Sequence, residues 1–548
     1  MTRIGLLVQE FAFDYHQYHL IKEILSWEEV EIFFLHTPTA SNARFSHQLD
    51  QVTPGGLNPK VFGLQLKLED IMVKKAFHGG EKLAAFSLEK PQNSQTISLA
   101  VSHDQAGRLL IGEEELEKIR DLELDLMVRL NTAGNIGGKL PEAAKYGIIS
   151  LHFGEPGAEV QGPPGFWELN RRSPSTPFSI QLHHQVGEQR TILLRGEVPN
   201  KYIYLQNKIA LQDESYLYFT HFIRKIVIGE PLESQGEATI STQQLKVPNL
   251  FQIIGYQLKT AGFLGKLALD RAVLKKSPIW IVGFAHKPYE QFEPAKSIVI
   301  PNPSKRFLAD PFVIKKEGRN ILFVEDYYWD KLKGVITAIE LKGDQYEILG
   351  TVIEEDFHMS YPFMFHYNDE LYMVPECHQT QSVRLYKCVD FPMKWEFQKV
   401  LMPNLNTVDT NIFQHNGYWW LLTNANPSSD SYDYSSQLHV FYTPDDPING
   451  EWIPHPQNPV VYANRGRNGG FYRTEEGEIF RMSQKYGFNF YGKSIHISKI
   501  IDLDPERYSE ESVGEIQPDF FKKIQGTHHL NANDEYTVFD FVKVDKIK

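Results

Sequence analysis

A chain of 548 residues exceeds one ordinary domain and suits two or three. Apolar residues at 42% and aromatics at 13% supply real cores and exclude a mainly disordered chain. Lys+Arg of 56 against Asp+Glu of 69 leaves a net charge of −13, which argues against general nucleic-acid binding, and only Cys377 and Cys388 are present, which excludes a disulfide scaffold or a cysteine-rich zinc module and suits a reducing compartment.

Met1–Glu10 holds a short apolar run that soon meets an acid, the pattern of a first strand rather than a signal peptide. Nowhere do about 18 apolar residues run together, so no membrane-spanning helix is expected. A soluble, cytoplasmic protein is the expectation.

Ile4–Val8, Tyr15–Trp27 and Val30–Leu35 read as strand, helix and strand, the opening of a parallel α/β sheet. Residues 37–107 resolve only into mixed loops and short elements. A charged helix is predicted at Glu113–Asp121, a buried strand at Asp125–Leu130, a helical stretch at Pro141–Tyr146 and a strand at Gly147–Leu151. A Gly/Pro-rich loop, Gly154–Gly165, leads to strands around Phe178–His183 and Thr191–Arg195. Residues 202–228 read as the helix that ends a first domain, 1–230.

Residues 231–278 read as a helical linker. Within it, Leu250–Lys276 sets Leu258, Leu264, Leu267, Leu269 and Leu274 among five Lys/Arg. A linker helix packed between domains is one reading, and a peripheral membrane contact through a basic amphipathic face is the other.

From Trp280 the texture turns to short strands, turns and aromatics, and an internal repeat emerges. Its units begin at Asp310, Tyr361, Asp409, Asn468 and, more weakly, His528, at spacings of 51, 48, 59 and 60 residues. Each is an apolar strand, a tight polar turn and a second apolar strand, a β-hairpin. Five hairpins at such intervals predict a five-bladed β-propeller over 279–548.

The innermost strand of every blade lines the central channel, and the second strand returns to the same mouth. Fifteen residues beyond the first three starts stand Glu325, Glu376 and Asn424. Asp310, Glu325, Tyr361, Glu376, Asp409 and Asn424 are therefore expected in one polar pocket, with Gln484 and the His528–His529 pair completing the ring. Alternatively these residues satisfy turn and strand-end backbone groups. Carboxylates gathered in a partly desolvated pocket repel, so at least one should titrate high.

No phosphate loop, His-Glu-x-x-His helix or Gly-x-Ser-x-Gly elbow is present. Gly134-Asn-Ile-Gly-Gly138 reads as a tight turn. His183/His184 and His528/His529 lack a third ligand in sequence, so no metal site is expected.

Gly147-Ile-Ile-Ser-Leu-His-Phe-Gly154, followed by Gln161-Gly-Pro-Pro-Gly-Phe-Trp167, delivers His152 to a Gly/Pro loop. This passage resembles the formyltransferase family, over about residues 1–230. The resemblance implies a formyltransferase-like α/β fold, 10-formyltetrahydrofolate as the carrier and an amine as the acceptor. His152 matches the family's base, Ser150 stands where an Asn is usual, and Glu188 falls where an Asp is expected.

Arg306-Phe-Leu-Ala-Asp-Pro-Phe312, His358-Met-Ser-Tyr-Pro-Phe363, Tyr372-Met-Val-Pro-Glu376 and Phe391-Pro-x-x-Trp395 resemble the N-terminal domain of plant glucosamine inositolphosphorylceramide transferases. Tyr491-Gly492 and Gly526-Thr-His-His529 extend the likeness over roughly 278–545. That domain is similar to five-bladed glycoside hydrolases of the arabinanase–xylosidase type. The resemblance implies Asp310 as a general base, with Glu376 and Asp409 as further acids.

Both halves point to carbohydrates. The expectation is formyl transfer to an amino sugar or related amine in surface glycan synthesis. The alternatives are glycoside hydrolysis or glycosyl transfer in the propeller, or glycan binding without catalysis. Expected partners are an amino sugar, nucleotide-sugar or glycan.

Overall fold

The computed structural model describes residues 1–38, 57–76, 80–88, 95–103, 108–131, 136–154, 163–184, 189–239, 247–426 and 436–547. The chain divides into two compact units, Met1–Leu264 and Gly265–Lys548.

The first unit is α/β. Its eight-stranded sheet runs, in spatial order, Glu237–Thr239, Gln189–Pro199, Ser175–His183, Ile148–Phe153, Leu126–Arg129, Thr2–Val8, Val30–His36 and Gln95–Ser98. The last five of these are parallel to one another, and the first three add antiparallel. Thr2–Val8 sits inside the parallel part, and Ile4, Leu6, Leu7 and Val8 are all buried, as a strand covered on both faces requires. The Tyr15–Leu25 helix begins at a capping box in which Asp14 accepts from the Gln17 amide at 2.9 Å.

Two helical expectations change. Leu57–Ala76 forms a helix of 20 residues inside the stretch the sequence left unassigned. Its apolar residues surround the axis, so the one-sided spacing that marks an amphipathic helix is missing. Pro141–Tyr146 holds only a short 3-10 turn, Leu140–Ala143. The helix expected at 202–228 spans Tyr204–Ile228.

The helix Leu250–Ala268, read as a linker, is anchored in the first unit. Tyr256 Oη donates to Glu69 Oε1 at 2.6 Å and accepts from the Tyr204 amide at 2.8 Å, while Glu69 Oε2 accepts from the Leu205 amide at 2.8 Å.

The second unit is a five-bladed β-propeller, as the repeat predicts. Blades one to four start with the strands Arg306–Lys316, Ser360–Tyr367, Thr407–His415 and Asn468–Arg473, each followed by antiparallel strands. The fifth blade is composite. Leu530–Ala532 and Thr537–Lys546 are joined by Lys276–Ala285 and Ile298–Val299, so strands from both ends of the unit close the ring.

The repeat starts coincide with a backbone device. Pairing in the first hairpins skips two residues after Ala309, Ser360, Val408 and Asn468, a β-bulge in every case. In the first three bulges Asp310, Tyr361 and Asp409 take φ of 49°, 47° and 51°, the left-handed region that a side chain enters at a cost. The fourth bulge uses glycine. Gly470 has φ 125°, and a Cβ there would stand 1.8 Å from the Leu530 carbonyl oxygen. The bulges turn successive inner strands at the same level and aim their first side chains to one mouth of the channel.

Candidate functional site

That mouth gathers most of the residues expected from sequence. Glu325 and Glu376 pair across their hairpins with Ala309 and Ser360, the residues just before the bulges. The second strands thus bring these carboxyls to the level of Asp310 and Asp409. All four are buried.

One side of the bowl is built on His528. Its Nδ1 donates to Asp540 Oδ1 at 2.7 Å, and its Nε2 lies 3.2 Å from Asp310 Oδ1. Asp540 Oδ2 accepts the Asp310 backbone amide at 3.1 Å. Burial alone would lower the His528 pKa, but Asp540 and Asp310 push it up to about 10. Asp310 is held below its usual range despite burial, chiefly by the His528 hydrogen bond and charge. His529, buried beside them with its Nδ1 3.8 Å from Asp310, is driven down to about 4.

The opposite side is built on Arg467. Its Nε donates to Asp409 Oδ2 at 2.6 Å and its guanidinium reaches Glu376 Oε2 at 3.5 Å. Gln484 Nε2 donates to the same Asp409 oxygen at 2.9 Å. Burial and the charges of Glu376 and Asp310 push the Asp409 carboxyl well up despite Arg467. Glu376 goes the other way. Burial would raise it, but His378, Arg467 and a hydrogen bond with Asp409 hold it down. The two carboxyls titrate as a pair, with Asp409 pushed up and Glu376 pushed down.

Glu325 lies between these groups, with His358 Nε2 3.6 Å from its Oε1. Burial first, then the charges of Asp310 and Glu376, raise it well above the ordinary carboxylate range. Glu325 and Asp409 are the carboxyls of the cluster that burial and neighbouring charge push up. Aromatic rings add to the site: Trp280 packs on His528 at 3.9 Å between centroids, and Arg467 lies 5.0 Å from the centre of the Tyr491 ring.

Two expected members brace the bowl instead. Asn424 spends its amide on the Gln437 and Gly466 carbonyls and accepts the Asn468 amide. Tyr361 Oη donates to Asn411 Oδ1 and accepts the Gly470 amide, both at 3.1 Å. Their polar atoms satisfy backbone and neighbouring side chains, the alternative that turn chemistry offers.

The sequence reading missed Arg467, Asp540, His358, His378 and Trp280. Arg467 had a signal, the second cation of an Arg-Gly-Arg run immediately before the glycine-rich start of blade four. Asp540 stands on the second strand of the weak fifth hairpin, where a shorter turn breaks the fifteen-residue rule.

Ligand-capable atoms of Asp310, His528 and Asp540 lie within 4.8 Å of one another, close enough to hold an ion. However, an imidazolium clasped by two carboxylates presents protons and no lone pair. With the ring charged the trio is a proton-holding Asp–His–Asp row, and holding a metal ion would require the imidazole to give up a proton.

In the first unit, Ser150 Oγ and His152 Nε2 are 2.8 Å apart, so the structure brings these two together. Glu188 lies outside the described residues, as does part of the Gly134–Gly138 turn. Arg190 Nη1 stands 3.1 Å from the same His152 nitrogen. Burial, then the charges of Arg190 and Arg129, hold the His152 pKa well below its usual value. The ring was expected free at a loop, but its Nε2 is engaged by these neighbours.

The second unit is thus a propeller with a carboxylate-lined mouth. Residues 295–537 match the family model described as glucosamine inositolphosphorylceramide transferase 1, N-terminal. Over 212 residues the chain is 36% identical to glucosamine inositolphosphorylceramide transferase 1 of Arabidopsis thaliana, covering 38% of this chain and 27% of that one. Its namesake in Oryza sativa subsp. japonica is 32% identical over 212 residues, covering 38% and 28%. The chain spans little more than a quarter of the length of these curated relatives. Among solved structures, it is similar to a thermostable family-43 glycoside hydrolase, with 15% identity and a TM-score of 0.33 over 45% of this chain and 91% of that one. The Bacillus subtilis arabinanase Arb43A gives 12% identity and a TM-score of 0.31 over 43% and 94%. No helix among the described residues is long and apolar enough to cross a membrane.

Proposed function

We propose that the propeller mouth binds a carbohydrate and acts on its glycosidic linkage by acid–base chemistry, within surface glycan synthesis. The observation that carries this reading is the gathering of four buried carboxyls, Asp310, Glu325, Glu376 and Asp409, at one mouth with His528 and Arg467 against them. His528, 3.2 Å away, pushes Asp310 toward its ionised form, while burial pushes Glu325 and Asp409 toward their neutral forms. Neighbouring carboxyls pushed apart in this way can supply a base or nucleophile and an acid at the same pH. Asp310 takes the first role and Glu325 or Asp409 the second. Arg467 and His528 steady the negative charge, and Trp280 and Tyr491 offer faces to a sugar ring. The match to proteins named as glucosamine inositolphosphorylceramide transferases supports a sugar ligand.

The test is a panel of aryl glycosides and nucleotide-sugars offered to the full chain, with calorimetric binding of the corresponding glycans. Sugar release or transfer that Asp310→Asn abolishes supports the reading. Binding without turnover reduces it to recognition, and silence in both assays removes it.

A second reading places formyl transfer from 10-formyltetrahydrofolate to an amino sugar at His152. The half-buried His152 beside Ser150, its pKa held well down, favours it, since an imidazole pushed toward its uncharged form can accept the amine proton. Tight binding of a reduced folate by the full chain, together with turnover lost in His152→Ala, supports this reading. Absence of folate binding removes it.

A further inference from the structure

Two helices of the first unit carry apolar side chains that stand in solvent. On Leu57–Ala76, Phe62, Leu66, Glu69 and Val73 are buried, while Leu64, Leu68 and Ile71 point away from that face. On Leu250–Ala268, Ile253, Tyr256 and Thr260 are buried, while Phe251, Ile254 and Leu258 point outward. These six outward side chains are between 46% and 83% exposed. At 100° per residue, each set of three falls within an arc of about 60°.

The two stripes adjoin. Tyr256 donates to Glu69, and Gln257 donates to Gln65. The first bond joins the buried faces of the two helices, whereas Gln65 and Gln257 lie at the flanks of the exposed stripes, so the stripes meet along the seam these two residues form. Soluble proteins rarely leave so continuous an apolar surface bare without a partner for it.

The charge beside the patch selects the partner. Lys60, Lys67 and Lys74 run along one edge of the first helix, and Lys259 flanks the stripe on the second. Two carboxyls occur on these turns: Glu69 is buried under the patch, and Asp70 is paired with Lys74 at 2.8 Å. In a chain of net charge −13, this face is locally basic. Apolar side chains bordered by lysines, on helices that do not cross a bilayer, suit the interface of an anionic membrane.

We infer that the face formed by the Leu57–Ala76 helix and the first turns of the Leu250–Ala268 helix docks on an anionic lipid surface, with both helices lying in the membrane plane. Leu64, Leu68, Phe251 and Leu258 enter the acyl boundary, and the lysines meet lipid phosphates. The inference is independent of which chemistry the protein performs.

The experiment is cosedimentation of the full chain with vesicles of about 3:1 phosphatidylcholine and phosphatidylglycerol, against phosphatidylcholine alone. Binding is expected on the anionic vesicles, weakened by salt. The paired substitution Leu68→Glu and Phe251→Glu should lower it about tenfold or more. Circular dichroism checks the fold of this variant. As a second measurement, Phe251→Trp should be quenched by brominated lipid when anionic vesicles are added. No binding to anionic vesicles, binding indifferent to the paired substitution, or an unquenched Trp overturns the inference. So does a dimer in light scattering that the paired substitution dissolves while vesicles are ignored, which would assign the face to a second copy of the chain.

Discussion

His528 donates from Nδ1 to Asp540 Oδ1 at 2.7 Å, and the same oxygen accepts the backbone amides of His528 and His529 at 3.2 and 3.1 Å. One buried carboxylate thereby fixes both the ring and the strand that carries it. With its second nitrogen beside Asp310, His528 is kept charged where an isolated buried imidazole would be neutral.

A first prediction is the pH profile of stability. The His528 pKa is about 10 in the folded protein against an ordinary 6.5. A group raised in this way contributes its stabilisation in full below the unfolded value and loses it as pH rises through the folded one. Thermal melts should therefore show a falling Tm between pH 6.5 and pH 10. In Asp540→Asn that slope should flatten, and the His528 ring resonances should titrate at lower pH by NMR.

Arg467→Met should destabilise the propeller by about 3–5 kcal/mol in urea titrations, because it leaves Asp409 and Glu376 buried without their cation. Arg467→Lys should recover part of the loss. A Met variant as stable as the parent would show that the guanidinium is held there for ligand binding alone.

Glu325→Gln should behave oppositely. The Glu325 carboxyl is raised well above 4.5, so its ionisation opposes folding at neutral pH. Replacing it with a neutral isostere should leave stability equal or higher at pH 7. If Glu325 is the acid, turnover should fall by about 10²–10⁴-fold.

Tyr361→Phe separates bracing from binding. It removes the hydroxyl that joins Asn411 to the Gly470 amide and should cost about 1–3 kcal/mol. Glycan affinity measured by calorimetry at low temperature, where the variant stays folded, should be unchanged.

The propeller was legible because its hairpins repeat turn chemistry, and turn residues betray themselves locally. Its repeat starts also fall at the bulges, where a side chain in the left-handed region has to be kept for a reason. One start is displaced by a residue. The bulge register aligns Gly469, rather than Asn468, with Asp310 and Asp409, and fifteen residues beyond Gly469 stands the buried Gln484. Arg467 and Asp540 were not legible as a pair of anchors, since each gains its meaning from partners more than ten residues away in sequence or in another blade. The Leu57–Ala76 helix escaped because apolar residues that face solvent blur the periodicity that burial normally writes.

The composite fifth blade carries a consequence for how the protein comes into being. Asp540 lies in, and His528 just before, the strands that complete the circle, beside Lys276–Ala285 from the beginning of the same unit. During synthesis, Asp310 emerges more than 200 residues before His528 and Asp540, the partners that hold its charge and its backbone amide. The His528 side of the bowl is unformed until the Thr537–Lys546 strand is in place, so a chain clipped before Thr537 loses Asp540 and the clasp on His528 as well as part of a blade. Completeness of the polypeptide is thereby written into the reactivity of its site.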